Sequence, residues 1–335
     1  MNRWLIYALT LAISAGLAAW FTPRVRQAAI RFGIVDRPDG RLKKHREPIP
    51  YLGGLAIALA FLLTLSVMAV EFNPAVLGML LAGSVVVVLG LMDDLGQLGP
   101  WTKLSGQMVA VLVLLKSGVY IKLTFLPLEV ALPLSALWLL AITNAFNLID
   151  IMDGLACGTA AVAAMILLVF AHLDGSFEAA TLLAGLAGSC LGFLRYNFHP
   201  ARIFMGDTGS MFLGLMLGAL AMNNSYTERN PLAALGPALI LGVPLFDMVF
   251  VMYIRRRRGL PVMLGSPDHI ALRLRKWRLG TRQTVLTSYT ATGVLGAAAL
   301  WMSLVSLQTA AFVLAGVVVA GLIAGLMLRR IDMSL

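Results

Sequence analysis

The sequence predicts an all-α fold, a polytopic membrane helical bundle of about 11 transmembrane helices, and three observations lead there. Hydrophobic residues make up 59% of the 335 and charged residues only 13%, a composition far from that of an ordinary soluble domain. The apolar residues run continuously instead of alternating with period two, so helices, not barrel strands, are expected to satisfy the backbone in lipid. The runs approach the roughly 20 residues that a helix needs to cross the hydrocarbon layer, and only short polar breaks separate them.

Taken in order, the spans fall at 4–22, 51–70, 75–92, 103–116, 128–146, 155–172, 178–194, 209–222, 232–253, 285–304 and 308–328. The first follows Arg3 and precedes a basic segment from Arg24 to Arg46; cleaving it as a leader would export that segment against its charge, so it is read as a span. The third ends on the pair Asp93-Asp94, the fifth runs into Asn147, Asp150 and Asp153, and the eighth follows Asp207 in Phe204-Met205-Gly206-Asp207-Thr208-Gly209-Ser210. The ninth carries Asp247 within Val243-Pro244-Leu245-Phe246-Asp247-Met248. No repeat, low-complexity tract or lipidation motif divides the chain, so one integral membrane domain over 1–335 is expected.

Eleven crossings sort the loops into two alternating sets. One set carries 22 of the 26 Lys and Arg residues; the other has Arg3, Lys116, Lys122 and Arg229. The positive-inside rule places the basic set and the C-terminus in the cytoplasm and the N-terminus outside. The net charge of +10 is thereby explained by topology, and no nucleic-acid partner is implied. Cys157 and Cys190 lie in or beside apolar spans, with no metal-ligand spacing, and read as packing residues.

Every acidic cluster belongs to the basic loop set. Two carboxylates at a helix C-terminus, as in Asp93-Asp94, meet the negative end of the helix dipole and call for a cation; Lys103 and a divalent ion are the candidates. Asn147, Asp150 and Asp153 recur every three residues, so a continuing helix would gather their oxygens on one face, a donor set suited to magnesium together with substrate phosphates. Helix-junction capping is the simpler alternative for that trio. Asp207, taken by itself, reads as an N-cap for the eighth span. Asp247, buried in an apolar run, needs a partner helix or a water-filled cavity. Lys44 and His45 in the first basic segment, and Asp268-His269 in the last, are charged groups placed to meet an anionic headgroup or phosphate, or else simple topology anchors.

In their order along the chain, Lys43-Lys44-His45 with Pro50-Tyr51-Leu52-Gly53-Gly54, Met92-Asp93-Asp94, Asn147-Leu148-Ile149-Asp150-Ile151-Met152-Asp153-Gly154, the Phe204–Ser210 motif and Asp268-His269 resemble the polyprenyl-phosphate N-acetylhexosamine-1-phosphate transferases, kin of the phospho-N-acetylmuramoyl-pentapeptide transferase. The resemblance spans about residues 33–283. It implies a bacterial cytoplasmic (inner) membrane enzyme with its active site facing the cytoplasm. Such an enzyme moves a sugar 1-phosphate from a UDP-sugar donor to a polyprenyl phosphate acceptor, releasing UMP, at the start of lipopolysaccharide or cell-wall glycan assembly. Magnesium or manganese would be the cofactor, with Asp207 and Asn147 as ligands. Asp93 would act toward the acceptor phosphate with Asp94 beside it, and Asp207 joins them as the third residue of the reacting centre. Asp150 and Asp153 would line the nucleotide site, Lys103 would touch the pyrophosphate, and Lys44, His45, His269 and Arg273 would contact substrate. Membrane lipid is a further partner, and a homodimer is an assembly to be tested. The chain departs from many relatives where they read Asp-His-x-x-His-Arg: Leu272 stands at the second His, while Arg273 is kept. The triple histidine of the muropeptide enzyme is absent, which argues against that substrate.

Two rivals carry discriminating features. A transporter of cations or anionic lipid would place its carboxylates near the bilayer midplane on interrupted helices. A CDP-alcohol phosphatidyltransferase also begins its motif Asp-x-x-Asp-Gly, but needs further spaced Asp residues, whereas Asp153-Gly154 is followed by no acid before Asp174.

Overall fold

A computed structural model of the chain describes residues 2–36, 48–68, 73–96, 98–123, 125–223, 226–227, 230–261, 266–331 and 333. The chain forms two compact units, Met1–Asn224 and Ser225–Leu335. The first contains α1 (Arg3–Arg31), a two-residue antiparallel pair β1 (Val35–Asp36) and β2 (Ile49–Pro50), then α2 (Gly53–Val67), α3 (Pro74–Gly96), α4 (Pro100–Lys116), α5 (Leu128–Ile149), α6 (Leu155–Leu173), α7 (Phe177–Asn197) and α8 (Gly206–Met222). The second opens with a 3-10 turn at Pro231–Leu235 and continues through α9 (Gly236–Ile240), α10 (Gly242–Arg257), α11 (Ile270–Lys276), α12 (Thr281–Leu304) and α13 (Leu307–Arg329).

Each predicted span holds a helix, but the lengths differ from the expectation. Among the described residues α1, α3, α5, α6, α7, α12 and α13 are long and apolar enough to cross a bilayer, and α9 with its preceding turn joins α10 as an eighth if the bent pair counts as one span. That pair bends by 77°, at a point where Gly242 and Pro244 interrupt the continuous run read from the sequence. By contrast α2, with 15 residues, and α4 and α8, with 17 each, rise only about 22–26 Å, less than a hydrocarbon core of about 30 Å. Helix α1 runs on to Arg31, past the expected end near residue 22, because Pro23 costs a single backbone bond and the following Arg, Gln and Ala residues favour helix.

The first unit is organised around α8, whose side chains from Thr208 to Met222 are all buried. Two glycines on neighbouring helices permit this: a Cβ on Gly54 of α2 would fall onto the backbone of Gly209, and one on Gly90 of α3 onto that of Thr208. Phe61 of α2 meets Phe212 edge-on, with ring centroids 5.7 Å apart, so α2 and α8 rise in the same direction. Helix α5 descends against α8: the Trp138 indole donates to the Gly218 carbonyl at 3.0 Å, while Asn147 reaches Asp207. Helices α1 and α7 are parallel, with Ser14 donating to the Gly185 carbonyl and Tyr196 to that of Ala19. Alternation of this kind brings the C-terminal ends of α1, α3, α5 and α7 and the N-terminal ends of α2, α4, α6 and α8 to one end of the unit.

Candidate active site

At that shared end the polar motifs around Asp93, Asn147 and Asp207 become one cluster. Lys103, in the first turn of α4, sends its ammonium between Asp93 Oδ2 at 2.9 Å, Asp207 Oδ2 at 2.6 Å and Asn147 Oδ1 at 3.0 Å. Asp93 is buried at the end of α3, and its other oxygen accepts the Leu98 backbone N–H at 2.6 Å. Asn147, one turn from the end of α5, donates to Asp207 Oδ1 at 2.6 Å and to Ser210 Oγ at 2.9 Å. Three oxygens, two of them from carboxylates, therefore converge on one positive charge. Behind them the Gln107 and Asn144 amides pair, Asn144 Nδ2 donating at 2.7 Å.

Asp94 does something different from its neighbour. Its carboxylate accepts the backbone N–H of Asp207 at 2.8 Å, that of Thr208 at 3.1 Å and the Thr208 hydroxyl at 2.6 Å. A side chain from α3 thus caps α8, satisfying N–H groups that an isolated helix leaves unpaired and placing a negative charge at the positive end of its dipole. Gly206 makes room for it: its φ is +73°, and a Cβ there would collide with the Asp94 carboxylate. Asp207 is consequently not the N-cap of α8 that its local sequence resembles; its carboxylate faces Lys103 and Asn147. The start of α2 is tied to the same motif, Gly53 N–H donating to the Phe204 carbonyl at 2.9 Å and Gly54 N–H to that of Met205 at 2.8 Å.

Asp150 and Asp153 follow α5, but the helix ends at Ile149, so the single-face arrangement expected for a continuing helix is not formed. Asp150 is half-buried, and burial, followed by the charges of Asp207, Asp94 and Asp153, pushes its carboxyl up to about 8. Asp153 turns to His199, whose Nδ1 lies 2.7 Å from Oδ2, and accepts the Ala201 N–H at 3.1 Å. Asn197 completes this corner, accepting from Gly154 N–H and donating to the Ile203 carbonyl, each at 3.0 Å. Neither Asn197 nor His199 stood out in the sequence. Their one signal is their place in the short polar break that also carries Asp207.

The second unit holds the remaining candidates. His269 is buried, not exposed, with Nδ1 2.6 Å from Asp247 Oδ2, while the other Asp247 oxygen accepts the Ile270 N–H at 2.7 Å. Asp247 therefore has the partner that a carboxylate in an apolar helix requires. Arg273 is fully buried: it donates to Asp268 Oδ1 at 2.6 Å and to the Leu328 and Ile331 carbonyls at 3.2 and 2.7 Å. The resemblance implies a substrate contact for Arg273; in the structure its guanidinium is held by Asp268 and these two carbonyls. Lys44 and His45 lie outside the described residues.

Among the described residues no group of three or more His, Cys, Asp or Glu side chains is arranged to hold a metal by itself. Asp207 and Asn147 nevertheless present hard oxygen donors around a point already occupied by a cation, and such a partial set suits magnesium, which commonly completes its shell with substrate phosphates and water.

A probable undecaprenyl-phosphate N-acetylglucosaminyl 1-phosphate transferase of Bacillus subtilis is 34% identical over 298 residues, covering 84% of this chain and 83% of the relative. The chain belongs to glycosyl transferase family 4. The model of that family matches residues 76–225, a stretch that contains the whole polar cluster from Asp93 to Asp207. A decaprenyl-phosphate N-acetylglucosaminephosphotransferase of Mycolicibacterium smegmatis is 34% identical over 325 residues, with 85% of this chain and 79% of that protein covered. A phospho-N-acetylmuramoyl-pentapeptide-transferase of Heliobacterium modesticaldum is 35% identical over 243 residues, covering 65% and 74%. This family 4 chain is accordingly an enzyme and a multi-pass membrane protein.

Proposed function

We propose that the chain transfers N-acetylglucosamine 1-phosphate from UDP-N-acetylglucosamine to a polyprenyl phosphate, giving a polyprenyl diphospho-sugar and UMP. The observation that carries this reading is the convergence of Asp93, Lys103, Asn147 and Asp207 at one end of the first unit, in a chain whose relatives are named for that transfer. The basic loop set supports a site facing the cytoplasm of a bacterial inner membrane, where a soluble nucleotide sugar is available.

An acceptor phosphate oxygen attacks the sugar-bound phosphorus, a new P–O bond forms, and the bond to the uridylate breaks with its electron pair leaving on UMP. A phosphate monoester is already largely ionised at neutral pH, so removal of a proton is a minor demand and charge stabilisation is the main one. Lys103 is positioned to exchange its carboxylate partners for the donor diphosphate. Asp93 holds Lys103 from one side and Asp207 from the other, which fixes where that positive charge is delivered. Asn147 orients the Asp207 carboxylate through one oxygen and leaves the second toward the cation position. Magnesium, held by Asp207 and Asn147, would neutralise the diphosphate and aid departure of UMP.

The test is UMP release by the purified protein. Asp207→Asn is expected to abolish metal-dependent release from UDP-N-acetylglucosamine in the presence of undecaprenyl phosphate. Retained turnover would refute the role of Asp207, and absence of lipid product from the unaltered protein with every UDP-N-acetylhexosamine would refute the reading as a whole.

A further inference from the structure

The parallel pair α1 and α7 ends in a concentration of arginines that the transfer reaction does not use. Arg195 in the last turn of α7, Tyr196, His199 and Arg202 line an open cavity of about 550 Å³. Arg195 and Arg202 are exposed, and neither has a carboxylate partner among the described residues. The acid beside them, Asp153, is engaged by His199 and the Ala201 N–H. Arg26 of α1 joins the group, its Nε donating to the Arg202 carbonyl at 3.0 Å. Two residues back along α1, the Arg24 guanidinium lies 3.5 Å over the ring of Trp20, which is half exposed.

This combination differs from arginines that merely set topology. Trp is favoured at the level of lipid headgroups, where an amphipathic ring meets both water and acyl chain. Trp20 therefore marks the interface, and Arg195 and Arg202 line a cavity large enough for a headgroup, with Arg26 bonded to the Arg202 backbone beside it. Guanidinia without a carboxylate partner among the described residues match phosphate oxygens, and basic pockets between transmembrane helices recognise anionic lipid headgroups. We infer that the end of the α1–α7 pair is a binding site for the phosphate headgroup of an anionic phospholipid, with the acyl chains lying along the exposed apolar face of α1.

The experiment uses the full chain purified in detergent and freed of lipid, titrated with phosphatidylglycerol or phosphatidylcholine while its melting midpoint is followed. Phosphatidylglycerol is expected to raise the midpoint and phosphatidylcholine to leave it unchanged. In the double variant Arg195→Gln, Arg202→Gln the concentration giving half the rise should increase about 25-fold, at about fivefold for each arginine near the anionic group. An unchanged titration in the double variant overturns the proposal. Displacement of bound phosphatidylglycerol by UDP, seen by native mass spectrometry, also overturns it, because the cavity would then serve a nucleotide. A second readout avoids the variant's folding. Phosphatidylglycerol with brominated chains should quench tryptophan emission more than brominated phosphatidylcholine does, and the excess should vanish in Trp20→Phe. Equal quenching by the two lipids refutes the site.

Discussion

Replacing Asp94 by Asn separates a positioning role from a chemical one. The carboxylate accepts three hydrogen bonds from the first turn of α8, and an amide has only one acceptor oxygen. With its oxygen on one side, the amide leaves at least one buried donor of Asp207 or Thr208 unpaired, at about 1–3 kcal/mol. Loss of the negative charge at the helix N-terminus adds about 0.3–1 kcal/mol. The sum corresponds to a fall in melting midpoint of roughly 2–6 °C for a chain of this length. Because Asp207 is the residue whose backbone N–H is released, its carboxylate also moves, and displacements of about 1 Å in a reacting centre cost on the order of 100-fold in rate. Differential scanning fluorimetry on the purified protein, paired with UMP release, reads both effects. A variant as stable and as active as the parent refutes the cap. One that loses activity at unchanged stability assigns Asp94 to the chemistry instead.

Further outcomes follow from the same geometry. Lys103→Gln removes the shared counter-ion of Asp93 and Asp207, so UMP release should fall by on the order of 100-fold while manganese binding without substrate, followed by paramagnetic resonance, becomes tighter; weaker metal binding would refute competition at that point. The Asp150 carboxyl is held at about 8 in the fold, against about 3.9 in an unfolded chain, so its favourable contribution is fully present below the unfolded value and is lost as pH rises through about 8. Asp150→Asn should therefore gain in melting midpoint relative to the parent between pH 5 and pH 8 and level off above, and parallel pH profiles would count against the shift. Arg273→Met leaves the buried Asp268 with Arg258 as its remaining cationic partner among the described residues, a loss of about 3–5 kcal/mol that limited proteolysis should report as faster cleavage near residue 268.

How much of this was legible in advance depended on the range of the interaction involved. Helix positions were readable because hydropathy is a local property, and the common location of Asp93, Asn147 and Asp207 followed from the alternation of basic and neutral loops. The role of Asp94 was not readable, since its partner lies 113 residues away and nothing near either residue encodes the pairing. Asp207 misled for the complementary reason: Asp-Thr-Gly-Ser before an apolar run has the local form of an N-cap, but a distant carboxylate holds that position. The shortness of α4 and α8 stood in the sequence as apolar runs of 14 residues, 103–116 and 209–222, whereas that of α2 was hidden because apolar residues continue past its end at Val67 without changing the hydropathy. His269 stands in a basic loop, and nothing near it encodes the carboxylate 22 residues earlier in the chain that holds its buried ring.

The enclosure of α8 bears on how the site meets changes in the bilayer. Membranes thicken and thin with lipid composition and temperature, and a helix in touch with acyl chains responds by tilting or stretching its surroundings. With its side chains from Thr208 to Met222 covered by protein, α8 meets no such force directly. The outer helices absorb the mismatch, and Asp207 sits on an internal post whose height is set by the glycine contacts with α2 and α3. The proposed reacting centre is thereby mechanically insulated from the fluid in which it is dissolved.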